Sequence, residues 1–517
     1  MPRVDKIIVT NVGALRAKYL NRYHRVWSAL LALRKADADR GITTRIVSLD
    51  DAQTLRGFGG APVSDPDSAR ETKAAIDAVW QACRPDYLMI LGAPDIVCHQ
   101  NLTNPLYAPG DDDDQYAPSD LPYACDTPYS QAIADFRGPT RVVGRLPDLY
   151  KDGDAAYMVR VLRVAATRRE RLAARYDACF ALTAEEWRKS TALSLGNTFS
   201  TPQTLHRAPP EGPGWKGSQL GALTHFINCH GGSIDPRFYG QRGNSYPIAM
   251  RSSQIEKKIR NGTVAAAECC YGAQLYDPNS FSDSPEMGIC NRYLKLGAYA
   301  FFGSSTEAYG PSEGNGSADL ICQFFIQRVL FGASTGRAAL EARLQFVLYA
   351  THLDPTDLKT LAQFNLMGDP SAQVVGHPVH ALQRTRTWRA AFDGRGDTVA
   401  RQLRRKRLLR DGRMLNAVAG AAQAGFSTRV PPRVKRALEK SVRDAGFRPG
   451  ASFGFGVDDP ARRTLGRKAV KDTTPTAFYV MSGSRRPGPS ELRRGCVVVA
   501  TMQDGRLVRL RRLHRRG

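Results

Sequence analysis

An α/β fold of mostly parallel sheet flanked by helices, followed by a small basic α+β C-terminal domain, is what the sequence predicts. Three observations carry that expectation. Short β-branched runs alternate with helical patterns through residues 1–380, an order that argues for parallel strands covered on both faces. Two apolar strands end in residues that carry chemistry, Phe226-Ile-Asn-Cys-His230-Gly231-Gly232 and Val264-Ala-Ala-Ala-Glu268-Cys269-Cys270-Tyr271-Gly272. Charge is divided unequally: of 73 Lys+Arg and 49 Asp+Glu, residues 381–517 hold 33 and 10. Residues 1–380 are therefore almost neutral, and the last quarter holds nearly all of the net +24.

The elements follow in order. Ile7-Ile8-Val9 reads as the first strand, and Tyr19, Leu20, Tyr23, Trp27, Leu30 and Leu31 recur at helical spacing after it. Arg45–Leu49 is a second strand, 71–83 a helix, and Tyr87–Leu91 a third strand closed by Gly92. Residues 101–130, with Asn104-Pro105, Pro109-Gly110 and the run Asp111–Asp114, read as a long surface loop. The acidic run offers carboxylate oxygens of the kind calcium takes, but it lacks the spaced ligands and turning glycine of a calcium loop. It is read as a solvated loop, and no cofactor is required. Arg141–Gly144 is a strand and 155–175 a helix. A second strand–helix set follows, with strands at Thr224–Cys229, Thr263–Cys270 and Ala298–Gly303 and a helix over 318–331. Gly57–Gly60 and Gly332–Gly336 are read as ordinary turns, the second lacking the lysine of a phosphate loop.

After residue 380 the texture changes. Arg401–Arg410 holds six basic residues in ten, within a helical pattern reaching Gly425. Pro431-Pro432 opens another basic helix, 450–456 is glycine-rich, and Cys496–Thr501 with Arg506–Leu510 reads as a hairpin around Asp504-Gly505. The division expected is 1–180, 181–378 and 379–517.

No apolar run approaches the roughly 18 residues that would cross a bilayer, and the N-terminus shows no signal-peptide pattern. Ten cysteines in 517 residues make no disulfide scaffold. A reduced, cytoplasmic protein without membrane partners is expected.

In a parallel α/β sheet, functional groups gather outside the carboxyl ends of the strands. Neighbouring strands ending in His-Gly and Cys-x-Gly bring an imidazole and a thiol together, the minimum for a thiolate nucleophile with an acid–base partner. The N–H groups of Gly231 and of the nucleophilic cysteine suit a developing oxyanion. Side-chain alternation puts Glu268 and Cys270 on one face, with Cys229 and Cys269 turned away as packing thiols. Cys270 is therefore favoured over Cys269. On the nucleophile's face, Glu268 would line a pocket selecting Arg or Lys, or else pair with a local arginine. The same four Cys and His residues make a poor zinc site, because adjacent pairs lack the usual two- to four-residue spacing.

These segments resemble the gingipain-type cysteine peptidases of the caspase-like clan. Asp86–Asp95, Asp126–Tyr129, Arg141–Pro147, Ala300–Ser305 and Phe364–Pro370 resemble further landmarks of that family, in order, over roughly residues 80–375. The resemblance implies a caspase-like fold of two sheet-bearing subdomains and a bacterial-type endopeptidase with a Cys–His dyad, mapped to Cys270 and His230. In clostripain-like and metacaspase relatives an acid two residues before the cysteine lines the basic-specific pocket, the place of Glu268. Gingipains use a different acid, which the sequence does not locate. With Gly231 as oxyanion donor, Glu268, Gly232 and Ser304 complete the candidate site for a protein or peptide substrate. His99, His206 and His225 read as loop or core residues, one of them a candidate to orient His230.

The competing class is a catalytically silent caspase-like scaffold. For the basic segment three readings stand: nucleic-acid or other polyanion binding through 381–517, a basic domain docked on the catalytic unit, or a set of cleavage sites for the chain's own Glu268-lined pocket.

Overall fold

The computed structural model describes residues 4–350, 352–377, 398–422, 429–458, 477–484, 494–503 and 505–517. Its centre is one ten-stranded sheet. From one edge the strands are Thr44–Ser48, Lys6–Thr10, Tyr87–Leu91, Val143–Leu146 and Phe364–Gly368, then Ala300–Ser304, Val264–Ala267, Thr224–Asn228, Cys179–Ala184 and Leu205–Ala208. The first four pair in parallel, as do the last five. Phe364–Gly368 lies antiparallel to Ala300–Ser304 and meets the first group through Met367 opposite Arg145. The two expected strand sets are thus joined edge to edge in one sheet, and the strand Cys179–Ala184 runs across the 180/181 boundary.

The strands are apolar on both faces because both faces are covered. Phe226, Val264, Ala266, Ala300 and Phe302 point into one core, while Ile227, Ala265, Ala267 and Phe301 point into the other. The helices Tyr23–Asp39 and Ala155–Ala166 supply Leu30, Leu33, Met158 and Leu162 to the second core. Ala318–Leu330 and Thr335–Ala350 supply Ile321, Phe325 and Leu340 to the first.

The segment read as a separate basic domain is built into this unit. It contributes the five central strands of a seven-stranded sheet, Arg506–Arg515, Gly495–Gln503, Ala477–Ser484, Arg448–Asp458 and Gly420–Ala422. The outer strands, Tyr309–Gly310 and His352–Leu353, come from the near-neutral part of the chain that precedes it. One face packs under the helix Pro432–Asp444, with Val434, Leu438 and Val442 against Met481, Val498 and Ala500. The other face gives Phe455, Phe478, Val499 and Leu513 to the core of the large sheet.

Several local expectations are corrected. The helix from 155 stops at Ala166. The basic helix Thr398–Val418 gives way to the strand Gly420–Ala422, and the glycine-rich 450–456 lies within the strand Arg448–Asp458. Region 101–130 is folded, not a surface loop: Gln100–Thr103 pairs with Tyr116–Ser119, and Leu102, Leu121 and Tyr123 are fully buried. Residues 378–397, which open the predicted basic segment, and Asp504 at the predicted hairpin turn lie outside the described residues.

A buried four-charge network ties the first strand to the chain's later elements. Lys6 Nζ lies 2.9 Å from Asp37 Oδ2 and 2.7 Å from Asp369 Oδ2. Arg168 closes the square, with Nη2 3.0 Å from Asp37 Oδ1 and Nη1 2.9 Å from Asp369 Oδ2. Burial alone would raise the Asp369 carboxyl, but Lys6 and Arg168 hold it well below the usual carboxylate range. An aspartate depressed in the fold contributes stability above its unfolded pKa of about 4 and loses it as pH falls below that. We expect Asp369→Asn to cost about 3–5 kcal/mol in urea unfolding at pH 7, because it leaves two buried cations facing one carboxylate. The acid-side decline in stability of the wild type should be shallower in the variant.

Candidate active site

The strands Thr224–Asn228 and Val264–Ala267 lie side by side in parallel, Thr224 opposite Val264 and Ile227 opposite Ala267. The ladder runs one residue past the second strand, where Glu268 N–H donates to Ile227 O at 2.8 Å. Both chains then leave the sheet at the same edge. His230-Gly231 forms a two-residue strand against Phe238-Tyr239, and Cys269-Cys270 enters a turn that carries Tyr271 at a φ of 54°. The two segments touch: a β-carbon on residue 231 would lie 2.0 Å from Cys270 O, so only glycine permits this approach.

Cys229 and Cys269 pack into the core on the far side of the sheet, the Cys229 N–H 3.4 Å from the Cys269 Sγ. Cys270 faces the other way, with Ala308 N–H 3.0 Å from its Sγ. Burial pushes its thiol up to about 12, against a smaller opposing pull from Arg515. His230 is buried between the rings of Trp187 and Tyr246, at centroid distances of 4.2 and 5.1 Å. Burial brings its imidazole down to about 3, with Arg516 and Arg494 adding to the shift and Gln241 opposing it.

Its Nε2 lies 2.7 Å from Gln241 Oε1, and the backbone of Gly517 also faces the imidazole. An Nε2–H donated to Gln241 makes Nδ1 the nitrogen turned to the cleft. None of the three other histidines considered orients His230. His99 pairs with Asp120, His206 with Glu211, and His225 lies between Tyr293 Oη and Ala222 O. Gln241 escapes sequence reasoning because an amide in a polar loop well past the histidine carries no spacing signal.

The chain's own Arg516 fills the space between these groups. Its carbonyl oxygen accepts from Gly231 N–H at 2.9 Å and from Cys270 N–H at 3.3 Å. Its side chain is fully buried, the guanidinium 4.1 Å over the Trp187 ring. Nη2 reaches Asp319 Oδ1 and Pro311 O, both at 3.1 Å, and Ser190 Oγ at 3.4 Å.

Glu268 lies at the base of this pocket but farther away, its Oε2 4.0 Å from Nη2. Burial and the neighbouring Asp319 carboxylate raise Glu268 well above the usual carboxylate range. Asp319 Oδ1, at 3.1 Å, is the nearer partner of the cation. Asp319 opens the helix Ala318–Leu330, and its signal was an acid in the first turn of an otherwise apolar, buried helix. Ser304 is committed elsewhere, its hydroxyl donating to Thr306 O at 2.8 Å. Gly232 is half-buried just past Gly231, where a β-carbon would meet Asp235.

The acidic run is only partly solvated, with Asp112 buried and Asp113 exposed. Asp112, Asp114 and Glu307 come within 4.8 Å of one another, in a geometry that could hold a cation. Protein cations already answer them: Lys359 Nζ lies 2.5 Å from Asp112 and 3.5 Å from Asp114, and Arg515 pairs with Glu307. Tyr309 and Tyr271 donate to Asp112 and Asp114, both at 2.9 Å.

No family model matches the chain, and no curated protein matches it. Among solved structures, two crystal structures of the Saccharomyces cerevisiae separase–securin complex match over 45% of this chain. The 3.0 Å structure shows 14% identity and a TM-score of 0.27; the 2.6 Å structure shows 12% and 0.28. The match spans 14% of the length of those chains.

A thiol raised to about 12 has roughly a thousandth of the thiolate of an ordinary cysteine at neutral pH. We expect Cys270 in the native chain to react with iodoacetamide far more slowly than in the urea-unfolded chain, as peptide mapping by mass spectrometry would show.

Proposed function

We propose that this chain is a cysteine endopeptidase of the caspase-like, gingipain type that hydrolyses peptide bonds after Arg or Lys. One observation carries the reading. A backbone carbonyl preceded by a buried arginine side chain accepts from the N–H groups of Gly231 and Cys270, beside the Cys270 thiol. That is the pose an acyl-transfer site gives the residue before the scissile bond.

The chemistry follows from the residues. Nδ1 of His230 takes the Cys270 proton, and the thiolate attacks the carbonyl carbon. The oxygen gains charge between the two N–H donors, which strengthens both hydrogen bonds in the transition state. The leaving amine takes the proton from His230, and water then resolves the thioester with His230 as base. Gln241 acts through His230 as a positioning residue. Asp319 supplies charge for the basic side chain, Trp187 a flat face for it, and protonated Glu268 and Ser190 the polar floor. Because only Nη2 meets the carboxylate directly, an ammonium can replace the guanidinium, while stacking on Trp187 favours Arg. No cofactor enters these steps.

The test is hydrolysis of fluorogenic peptides ending in Arg, Lys, Asp or Leu. Cleavage after Arg and Lys should vanish in Cys270→Ala and His230→Ala. Asp319→Asn should lower kcat/KM for Arg peptides by about two orders of magnitude, the effect of unpairing a buried cation. Glu268→Gln, which keeps a neutral hydrogen-bonding group, should cost much less. Absence of cleavage combined with salt-sensitive nucleic-acid binding would favour the silent scaffold instead.

A further inference from the structure

The strand Arg506–Arg515 runs along the rim of the candidate cleft and brings the chain's own arginines into it. Arg515 lies opposite Tyr309 and His514 opposite Gly310 in antiparallel register, and Arg516 N–H donates to Ala308 O at 2.8 Å. Extended peptides are held in this way when they add a strand to a sheet edge, with backbone bonds for affinity and side-chain pockets for selection. The pockets are acidic. Arg515 pairs with Glu307 and donates to Asp111 O at 2.8 Å. Arg516 enters the Asp319 pocket, and Arg511, earlier on the same strand, meets Asp354 at 2.5 Å and Asp357 at 2.8 Å. Past Arg516 the backbone crosses the thiol: a β-carbon on residue 517 would lie 3.0 Å from Cys270 Sγ and 3.1 Å from Gly231 O.

We propose that the chain cleaves its own Arg516–Gly517 peptide bond in cis, the segment 506–516 acting as a tethered substrate. This rests on the peptidase reading above. The Cys270 sulfur forms a bond to the Arg516 carbonyl carbon, and the thiol proton passes to His230. The carbon–nitrogen bond to Gly517 breaks, and its electron pair stays on the Gly517 nitrogen, which takes the proton from His230. Water then adds to the Arg516 thioester, giving one proton to His230 while the sulfur leaves and recovers a proton. The products are an Arg516 carboxylate and the free amine of Gly517, with no redox change.

Two features set the specificity. Consecutive arginines meet separate acids, Glu307 and Asp319, so a dibasic pair is selected. The narrow space at residue 517 selects glycine after the cut, because any side chain would press on the attacking sulfur.

The experiment is intact-mass spectrometry of the full chain, with fluorogenic Arg-peptide turnover measured on the same samples. Wild type should end at Arg516, while Cys270→Ala and Cys270→Ser should retain Gly517. Gly517→Ala should slow the cut by about tenfold. Isotope-labelled Cys270→Ala mixed with unlabelled wild type should stay uncut, since the cleft of each copy holds its own strand. Wild type that retains Gly517 yet turns over Arg peptides would overturn self-cleavage and leave the peptidase reading standing. Wild type that retains Gly517 and turns over nothing would sink both. Cutting of the labelled chain at the wild-type rate would overturn the cis assignment, and cutting of either cysteine variant alone would overturn Cys270 as the attacking group.

Discussion

The close contact between Gly231 and Cys270 is the constraint from which the rest of the site follows. Two parallel strands in register deliver these residues to the same sheet edge, and the missing β-carbon of Gly231 lets the segments meet. Their N–H groups then converge on one point, the oxygen of Arg516. Move either strand by one residue and the side chains exchange faces: Cys269 would take the cleft, and Cys270 would be packed into the opposite core. The apolar alternation of Val264–Ala267 into two cores enforces the register, so the packing of the sheet and the geometry of the site have one cause.

Charge is distributed by the same logic of pairing. The last strand is strongly basic, yet its arginines are not all a solvated face. Arg511, Arg515 and Arg516 are each answered by acids from the near-neutral part of the chain: Asp354 with Asp357, Glu307, and Asp319. Buried ion pairs give up much of their Coulomb energy to desolvation, so they specify position more than they add stability. Four such pairs, made by three arginines on and just past one strand, fix its register over the cleft. Burial on this scale also keeps the Cys270 thiol and the His230 imidazole uncharged, the state of a site sealed by a bound segment.

The two carboxyls at the pocket base divide their roles through one proton. Glu268 and Asp319 cannot both ionise cheaply when buried side by side. Glu268, farther from the guanidinium at 4.0 Å, is the one raised, and Asp319 Oδ1 at 3.1 Å is the cation's direct partner.

Much of this was present in local pattern. Strand alternation separated Cys270 from Cys269 and Cys229, and it placed Glu268 on the same face as Cys270, because a period of two needs only neighbouring residues. His230 and Cys270 at the carboxyl ends of adjacent strands followed from the order of elements. What only the tertiary structure decided depends on contacts between distant parts of the chain. Asp319 enters the pocket because the helix Ala318–Leu330, far beyond Cys270 in the sequence, packs beneath it, and Gln241 because a loop folds back over His230. Asp112 is buried in the acidic run because Lys359 reaches it from far along the chain. The basic C-terminal segment shows the division most clearly. Composition set its charge, and periodicity set its two helices and its final hairpin. That its last arginines would lie in the cleft was decided by Tyr309–Gly310, a two-residue strand too short to announce itself, whose free edge the segment completes.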